Sequence, residues 1–174
     1  MSAQFLIERL DPAKHRRLDF HCESADLTTF LQQRARKEMA ARASACFVIV
    51  PEADPRRIAG YYTLSQTSVT LAKLPALLAK RLPHYPDLGA TLIGRLARDL
   101  AWKGQDIGRL LLLDALRRSV RQSDEVGVVV VVTDPKDAKA RAFYERFGFR
   151  PLDDRRLFIP MGELVEREAR GWEA

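Results

Sequence analysis

Leu92–Gly108 reads LIGRLARDLAWKGQDIG, and the leucine-rich run Arg109–Leu116 follows at once. This is the pattern of a strand that ends in a backbone-rich turn and feeds straight into a helix. Free N–H groups in such a turn and at the helix N-terminus point one way, and the helix dipole adds partial positive charge at the same spot. That geometry suits a pyrophosphate. Gly104 and Gly108 give the φ freedom and close approach that a turn around an anion demands. On this stretch alone, a glycine that merely breaks the chain into a loop is the lesser, still open reading of Gly104.

The length of 174 residues is that of one domain, expected to span 1–174 with a sizeable core. Hydrophobic residues at 47% and charged residues at 30% place the chain in the soluble globular class. No apolar run reaches the length of a bilayer, and the start MSAQFLIERLDPAKHRR carries acids and no signal-like apolar core. The expectation is a cytoplasmic protein without a membrane partner. Cys22 and Cys46 are too few for a disulfide framework or a zinc site, so no metal is expected. Cys46, inside an apolar run, reads as a small buried thiol. Cys22 lies beside His21, which invites a Cys–His nucleophile, although adjacent residues on a chain usually point apart.

A net charge of +6 favours an anionic partner, with a phosphate-bearing small molecule, RNA, DNA and anionic lipid all candidates. Arg34, Arg36, Lys37 and Arg42 lie along one segment, Lys80 and Arg81 in a loop, and Arg95 and Arg98 flank the proposed cofactor strand. A diffuse basic surface that only aids solubility and a polyanionic substrate both fit this distribution.

Outward from the opening stretch, Phe5–Arg9 reads as a first strand. Asp26–Ala41 has apolar residues at helical spacing, with Ser24 or Asp26 as cap. Ala45–Val50 and Arg57–Thr70 make a hairpin, and Lys73–Asp87, with three prolines, a short helix and irregular loop. Leu92–Asp99 is the next strand and Ile107–Gln122 the next helix. Val126–Val132, almost wholly valine, reads as a central strand covered on both faces, giving a parallel crossover. A helix over Ala138–Phe147 starts at Thr133 or Asp137 and ends at Gly148. Short strands near Arg150–Leu152 and Arg156–Ile159 follow, then a charged tail, 161–174, expected as a loosely docked helix.

Residues 137–149 form the string DAKARAFYERFGF. On a helix Phe143 and Phe147 share a face and are expected to pack into the core, while Tyr144, rotated by about 100°, sits at its edge. There its hydroxyl can enter a cleft. An aromatic that only covers the sheet is the other reading.

Two of these patterns resemble the hallmarks of GNAT N-acetyltransferases. Lys103-Gly104-Gln105-Asp106-Ile107-Gly108 is similar to their acetyl-CoA turn, Arg/Gln-x-x-Gly-x-Gly/Ala, with Lys103 in place of Arg or Gln and Asp106 in place of the middle glycine. DAKARAFYERFGF is similar to their AxxFYxxxGF helix, in the usual order and separation. The resemblance implies an α/β (α+β) fold: a single GNAT-type domain with a mixed central sheet of six to seven strands, splayed fourth and fifth strands, and flanking helices. It implies acetyl-CoA as cosubstrate. Leu96, Ala97 and Arg98 would offer backbone hydrogen bonds to pantetheine and the acetyl carbonyl, Lys103–Arg109 (Lys103, Gly104, Gln105, Asp106, Ile107, Gly108, Arg109) would hold the pyrophosphate, and Phe143 would line the cofactor. Tyr144 would be the general acid toward the departing thiolate. With ordinary pKa values of about 8.5 for a thiol and about 10 for a tyrosine, that transfer is close to balanced. No general base stands out; His84 and His21 are candidates, with a surface histidine the preferred reading of each.

The strings FHCESADLTTFL (20–31), GYYTLS (60–65), LPHYP (82–86), IGRLARD (93–99), LLDALR (112–117) and RLFIPM (156–161) further resemble the GNAT toxins of bacterial toxin–antitoxin modules. This resemblance implies acetylation of the α-amino group of aminoacyl-tRNA, a block of translation, neutralisation by a ribbon-helix-helix antitoxin, and a homodimer. It makes Arg34, Arg36, Lys37, Arg42, Lys80, Arg81 and Arg95 the candidate tRNA contacts. After the LPHYP string the chain has Asp87, Leu88 and Gly89 where that family often has a second proline. The alternatives are an acetyltransferase of a small amine or protein, and a non-catalytic binding module.

Overall fold

The computed structural model describes residues 3–172. Its strands are hydrogen-bonded in the order β1-β2-β3-β4-β5-β7-β6, a mixed seven-stranded sheet with flanking helices. The chain's contacts divide into two compact units: residues up to Ser65 with Gly94–Ala115, and Gln66–Ile93 with the chain from Leu116 onward.

In the first unit β1 (Phe5–Arg9) pairs antiparallel with β2 (Ala45–Pro51), which pairs antiparallel with β3 (Gly60–Thr70). The turn between β2 and β3 is set by Asp54: its N–H donates to Pro51, its carbonyl accepts from Arg57, and its carboxylate accepts from Arg16. β3 therefore starts at Gly60 and not at Arg57. The amphipathic helix exists but is not uniform. α1 (Ala25–Thr29), capped by Ser24 on Leu27 N–H, passes through a π turn at Phe30–Arg34 into α2 (Ala35–Ala40). The widened turn, closed by Ala35 N–H donating to the Phe30 carbonyl, keeps Phe30, Leu31 and Ala35 all buried. Apolar periodicity cannot signal that extra residue. These side chains pack with Phe20, Val48, Val50 and Tyr61, and burying each large one contributes about 1.5–3 kcal/mol. The buried Tyr61 hydroxyl donates to the Leu27 carbonyl at 2.6 Å.

The second unit is organised around β5 (Val130–Thr133), whose four residues are all buried. β5 pairs parallel with β4 (Asp87–Arg98) and antiparallel with β7 (Leu157–Pro160), which carries the short β6 (Arg150–Pro151). Two expectations shift here. β4 begins five residues earlier than its apolar run suggested, because Leu88 and Ala90 are already core residues. β5 is shorter than the valine run: Val126 is 53% exposed, and the Gly127 carbonyl comes within 3.0 Å of where a Cβ on Gly89 would lie. Parallel pairing ends at Ile93↔Thr133 while β4 continues to Arg98, so the strands part as the resemblance implied.

α3 (Ala76–Ala79) is the short helix of the β3–β4 connection, α4 is Ile107–Ser123, and α5 is Ala138–Glu145. α6 (Met161–Ala169) buries Met161 and Leu164, and Arg167 donates to the Phe147 carbonyl at 2.7 Å. The last two residues of the 161–174 tail lie outside the described residues. No helix among the described residues is long and apolar enough to cross a membrane.

Candidate active site

In the first unit the C-terminal half of β4 runs into the proposed pyrophosphate turn, and Asp99 fixes the junction. Its side chain is 2% exposed, and its carboxylate accepts from His21 N–H and Ala101 N–H, both at 2.9 Å, with Arg57 3.5 Å away. Reciprocally, Leu100 N–H donates to the His21 carbonyl. The turn is thus bolted to the segment entering α1, and its exit direction is fixed before any ligand arrives. Ala97 is buried, and Leu96 and Arg98 are half-buried beside it.

Lys103, Gly104, Gln105 and Asp106 are all exposed. Gly104 has φ +82° and Asp106 φ +64°, both left-handed. That conformation explains why glycine is usual at Asp106, and aspartate is one of the few other residues that tolerates it. The Asp106 carbonyl accepts from Leu110 N–H at 3.1 Å, making Asp106 the residue from which α4 springs. Its carboxylate turns along the helix toward Arg109, at 3.6 Å. The first-turn N–H groups of α4, at Ile107, Gly108 and Arg109, have no carbonyls behind them in the helix. Ile107 and Leu111, both buried, hold this helix end down. No side chain fills the space at Gly104, where an added Cβ would meet nothing within 4 Å. Open left-handed turn, helix N-terminus and the Lys103 cation fit a pyrophosphate.

In the second unit Asp137 caps α5 by accepting Ala140 N–H at 2.8 Å, and Gly148, at φ +98°, ends the segment. The expected facing is reversed: Tyr144 is buried, at 6% exposure, while Phe143 and Phe147 are half-buried. The helix turns its tyrosine toward β5 because a polar partner waits there. The Tyr144 phenol is hydrogen-bonded to the Thr133 hydroxyl, and the Thr133 hydroxyl donates to the Ile93 carbonyl at 3.0 Å. Phe143 and Phe149 contact the Tyr144 ring edge-on at 5.2 and 5.4 Å. Burial pushes the phenol up to about 12, the Thr133 hydrogen bond opposing it weakly. Tyr144 therefore holds its proton throughout the physiological range.

The basic candidates fall on both units. Arg34, Arg36, Lys37 and Arg42 are exposed along and just after α2. Arg95 is less free: its guanidinium lies 3.6 Å over the Phe30 ring and 3.8 Å from Glu38, and Arg34 approaches the same ring at 5.3 Å. Lys80 and Arg81 are exposed in the second unit. Cys22 bonds to Thr28 and Ser24, while His21 lies against the Asp19 carbonyl, so the two do not form a pair. His84 is exposed. Among the described residues no group of three or more His, Cys, Asp or Glu is placed to hold a metal. Sequence reasoning missed Thr133 and Asp99. Each is a single polar residue at a strand end, a position without a periodic signal.

Residues 85–159 match the acetyltransferase (GNAT) domain family. The chain is 29% identical over 172 residues to the probable toxin TacT of Sinorhizobium fredii, covering 94% of each chain. It is 31% identical over 144 residues to a tRNA-acetylating toxin of Mycobacterium tuberculosis, covering 82% of this chain and 84% of the relative. Among solved structures it superposes on AtaT complexed with acetyl-methionyl-tRNAfMet with a TM-score of 0.87 at 26% identity, over 94% of this chain and 98% of that one. A whole-length likeness of sequence and fold, carrying both the turn and the tyrosine helix, establishes that the chain belongs to the GNAT family and is an N-acetyltransferase.

Proposed function

We propose that this enzyme transfers acetyl from acetyl-CoA to the α-amino group of aminoacyl-tRNA and thereby stops translation. The observation that carries the substrate class is the exposed row Arg34, Arg36, Lys37 and Arg42, on a chain that resembles a tRNA-acetylating toxin over most of its length. A tRNA is met through phosphates and shape, and such a row supplies the charge. Lys80, Arg81 and Arg95 complete the proposed contact set.

Acetyl-CoA, when bound, supplies the activated acetyl group. Its pyrophosphate would rest on Lys103–Arg109, its pantetheine along the backbone of Leu96, Ala97 and Arg98, with Phe143 lining the site. The acceptor needs no general base: an α-amino group with an ordinary pKa of about 7.7–8.0 is substantially neutral at cellular pH. Tyr144 is the proton donor. With its pKa near 12, full transfer to a thiolate of ordinary pKa is uphill by about three to four powers of ten, not balanced as an unperturbed tyrosine would be. Tyr144 therefore acts by directing its O–H at developing negative charge, in the manner of an oxyanion-hole donor.

The reading includes neutralisation by a ribbon-helix-helix antitoxin, a homodimer and a cytoplasmic setting. Its test is cell-free translation with purified enzyme: arrest that needs acetyl-CoA and is lost in Tyr144→Phe supports it. Undiminished translation, with acetylation of a polyamine or peptide instead, returns the enzyme to the small-amine or protein acetyltransferases.

A further inference from the structure

Between β3 and β4 the chain leaves the sheet for residues 71–86. The neck of this excursion is closed by Leu71 N–H donating to the Pro86 carbonyl at 3.0 Å, and Leu74 anchors it in the core. Its outer side is a groove of about 540 Å³, lined by Leu71, Leu74, Ala76, Ala79, His84 and Tyr85 among others. That volume is in the range of small-ligand sites. Tyr85 is 63% exposed at its wall. Lys80 and Arg81 are exposed in the segment between α3 and Tyr85, and among the described residues neither has an ion-pair partner. The nearby acids are already engaged, Asp153 by Lys73 and Asp87 by Thr70. Pro75, Pro83 and Pro86 stiffen the excursion, so a ligand does not have to order it.

The groove is not the pocket for the reacting aminoacyl group. Pro86 and Ile93 are separated by seven residues of extended chain, about 23 Å at strand rise, and the Ile93 carbonyl holds the Thr133 hydroxyl on which Tyr144 rests. A span of that size corresponds to a stretch of single-stranded nucleic acid. An exposed aromatic wall, an apolar floor and two free cations fit an unpaired base with its phosphate.

We propose that this groove stacks an unpaired nucleobase of the single-stranded end of the RNA acceptor, with Tyr85 as the platform and Lys80 and Arg81 on the adjoining phosphates. The proposal rests on the aminoacyl-tRNA reading above, and its test separates the two. Initial rates are measured for wild type, Tyr85→Ala and Tyr85→Phe with charged tRNA and with a 3′-aminoacyl-adenosine, which has the same amine but only one nucleoside. Binding of a fluorescein-labelled cytidine- and adenosine-containing oligoribonucleotide is followed by anisotropy, and oligomeric state by light scattering.

The expected result is a KM for charged tRNA raised on the order of ten-fold in Tyr85→Ala, restored in Tyr85→Phe, with KM for aminoacyl-adenosine unchanged. Equal effects on both acceptors, or none on either, overturn the stacking site. A change in oligomeric state in Tyr85→Ala with tRNA kinetics intact overturns it in favour of a second copy of the chain. If wild type acetylates no charged tRNA, the functional reading fails. The oligoribonucleotide then decides the groove alone: affinity weakened in Tyr85→Ala and kept in Tyr85→Phe supports it, and equal affinity for all three overturns it.

Discussion

The phenol of Tyr144 and the hydroxyl of Thr133 form one hydrogen-bonded unit. The Thr133 hydroxyl donates to the Ile93 carbonyl at 3.0 Å and lies against the Tyr144 phenol. The phenol is thereby placed by β5, and the proton it carries is the one proposed for the developing thiolate. Tyr144→Phe removes that proton with little change in shape. We expect kcat to fall by about 10² to 10⁴ with acetyl-CoA binding retained. Thr133→Val keeps the phenol but leaves it without its hydrogen-bond partner. It should lose about 1–3 kcal/mol of stability and less activity than Tyr144→Phe. Equal kcat in wild type and Tyr144→Phe would reduce Tyr144 to a packing residue.

Among the described residues, burial raises Cys46 and Tyr144 to about 12 and lifts Tyr61 further still. In each the native state holds its proton after the unfolded chain has lost it. Their stability contribution is complete below the unfolded pKa values and is lost as pH rises through the folded ones. Thermal stability should therefore fall from about pH 9 upward. Tyr144→Phe should lessen the part of that loss that develops between about pH 10 and pH 12. Melting curves at matched ionic strength check this; an identical alkaline slope in wild type and Tyr144→Phe contradicts the burial of that phenol.

Asp99 ties the proposed pyrophosphate turn to the segment entering α1. Asn at this position keeps one acceptor oxygen but sets an NH2 group against the second backbone N–H, at either His21 or Ala101. Asp99→Asn should cost about 1–3 kcal/mol of stability. It should raise KM for acetyl-CoA several-fold while kcat at saturating cofactor changes little. A kcat loss at unchanged KM would mean that the anchor serves the reacting centre instead.

Arg36, Lys37 and Arg42 are exposed. Replacing Arg36 and Lys37 by Glu should weaken acetylation of charged tRNA and flatten the dependence of KM on salt, since each phosphate contact contributes close to one unit of slope. KM for aminoacyl-adenosine should not move. Unaltered tRNA kinetics would remove this row from the interface.

Legibility followed periodicity and punctuation. β1, β2 and α4 were readable to within a residue or so because apolar spacing and the flanking turn residues agree there. The left-handed turn before α4 and the helix carrying Tyr144 were readable as structure because glycine and capping residues punctuate both. The π turn at Phe30–Arg34 was not, since one extra residue in a helix leaves the apolar pattern almost unchanged. The facing of α5 was misjudged for a related reason. Two phenylalanines outweigh one tyrosine in a count of apolar faces, yet Thr133, distant in sequence, gives the tyrosine a buried partner. β5 was overestimated because Gly127, inside the valine run, belongs to the approach to Gly89 and not to the strand.

The most direct test is transfer of labelled acetyl from acetyl-CoA to a total pool of charged tRNA, with uncharged tRNA and polyamines alongside. Wild type and Tyr144→Phe are compared. The account predicts label on charged tRNA only, released together with the amino acid by mild alkali, and greatly reduced in Tyr144→Phe. Label on polyamines or uncharged tRNA, with charged tRNA unmarked, would contradict it.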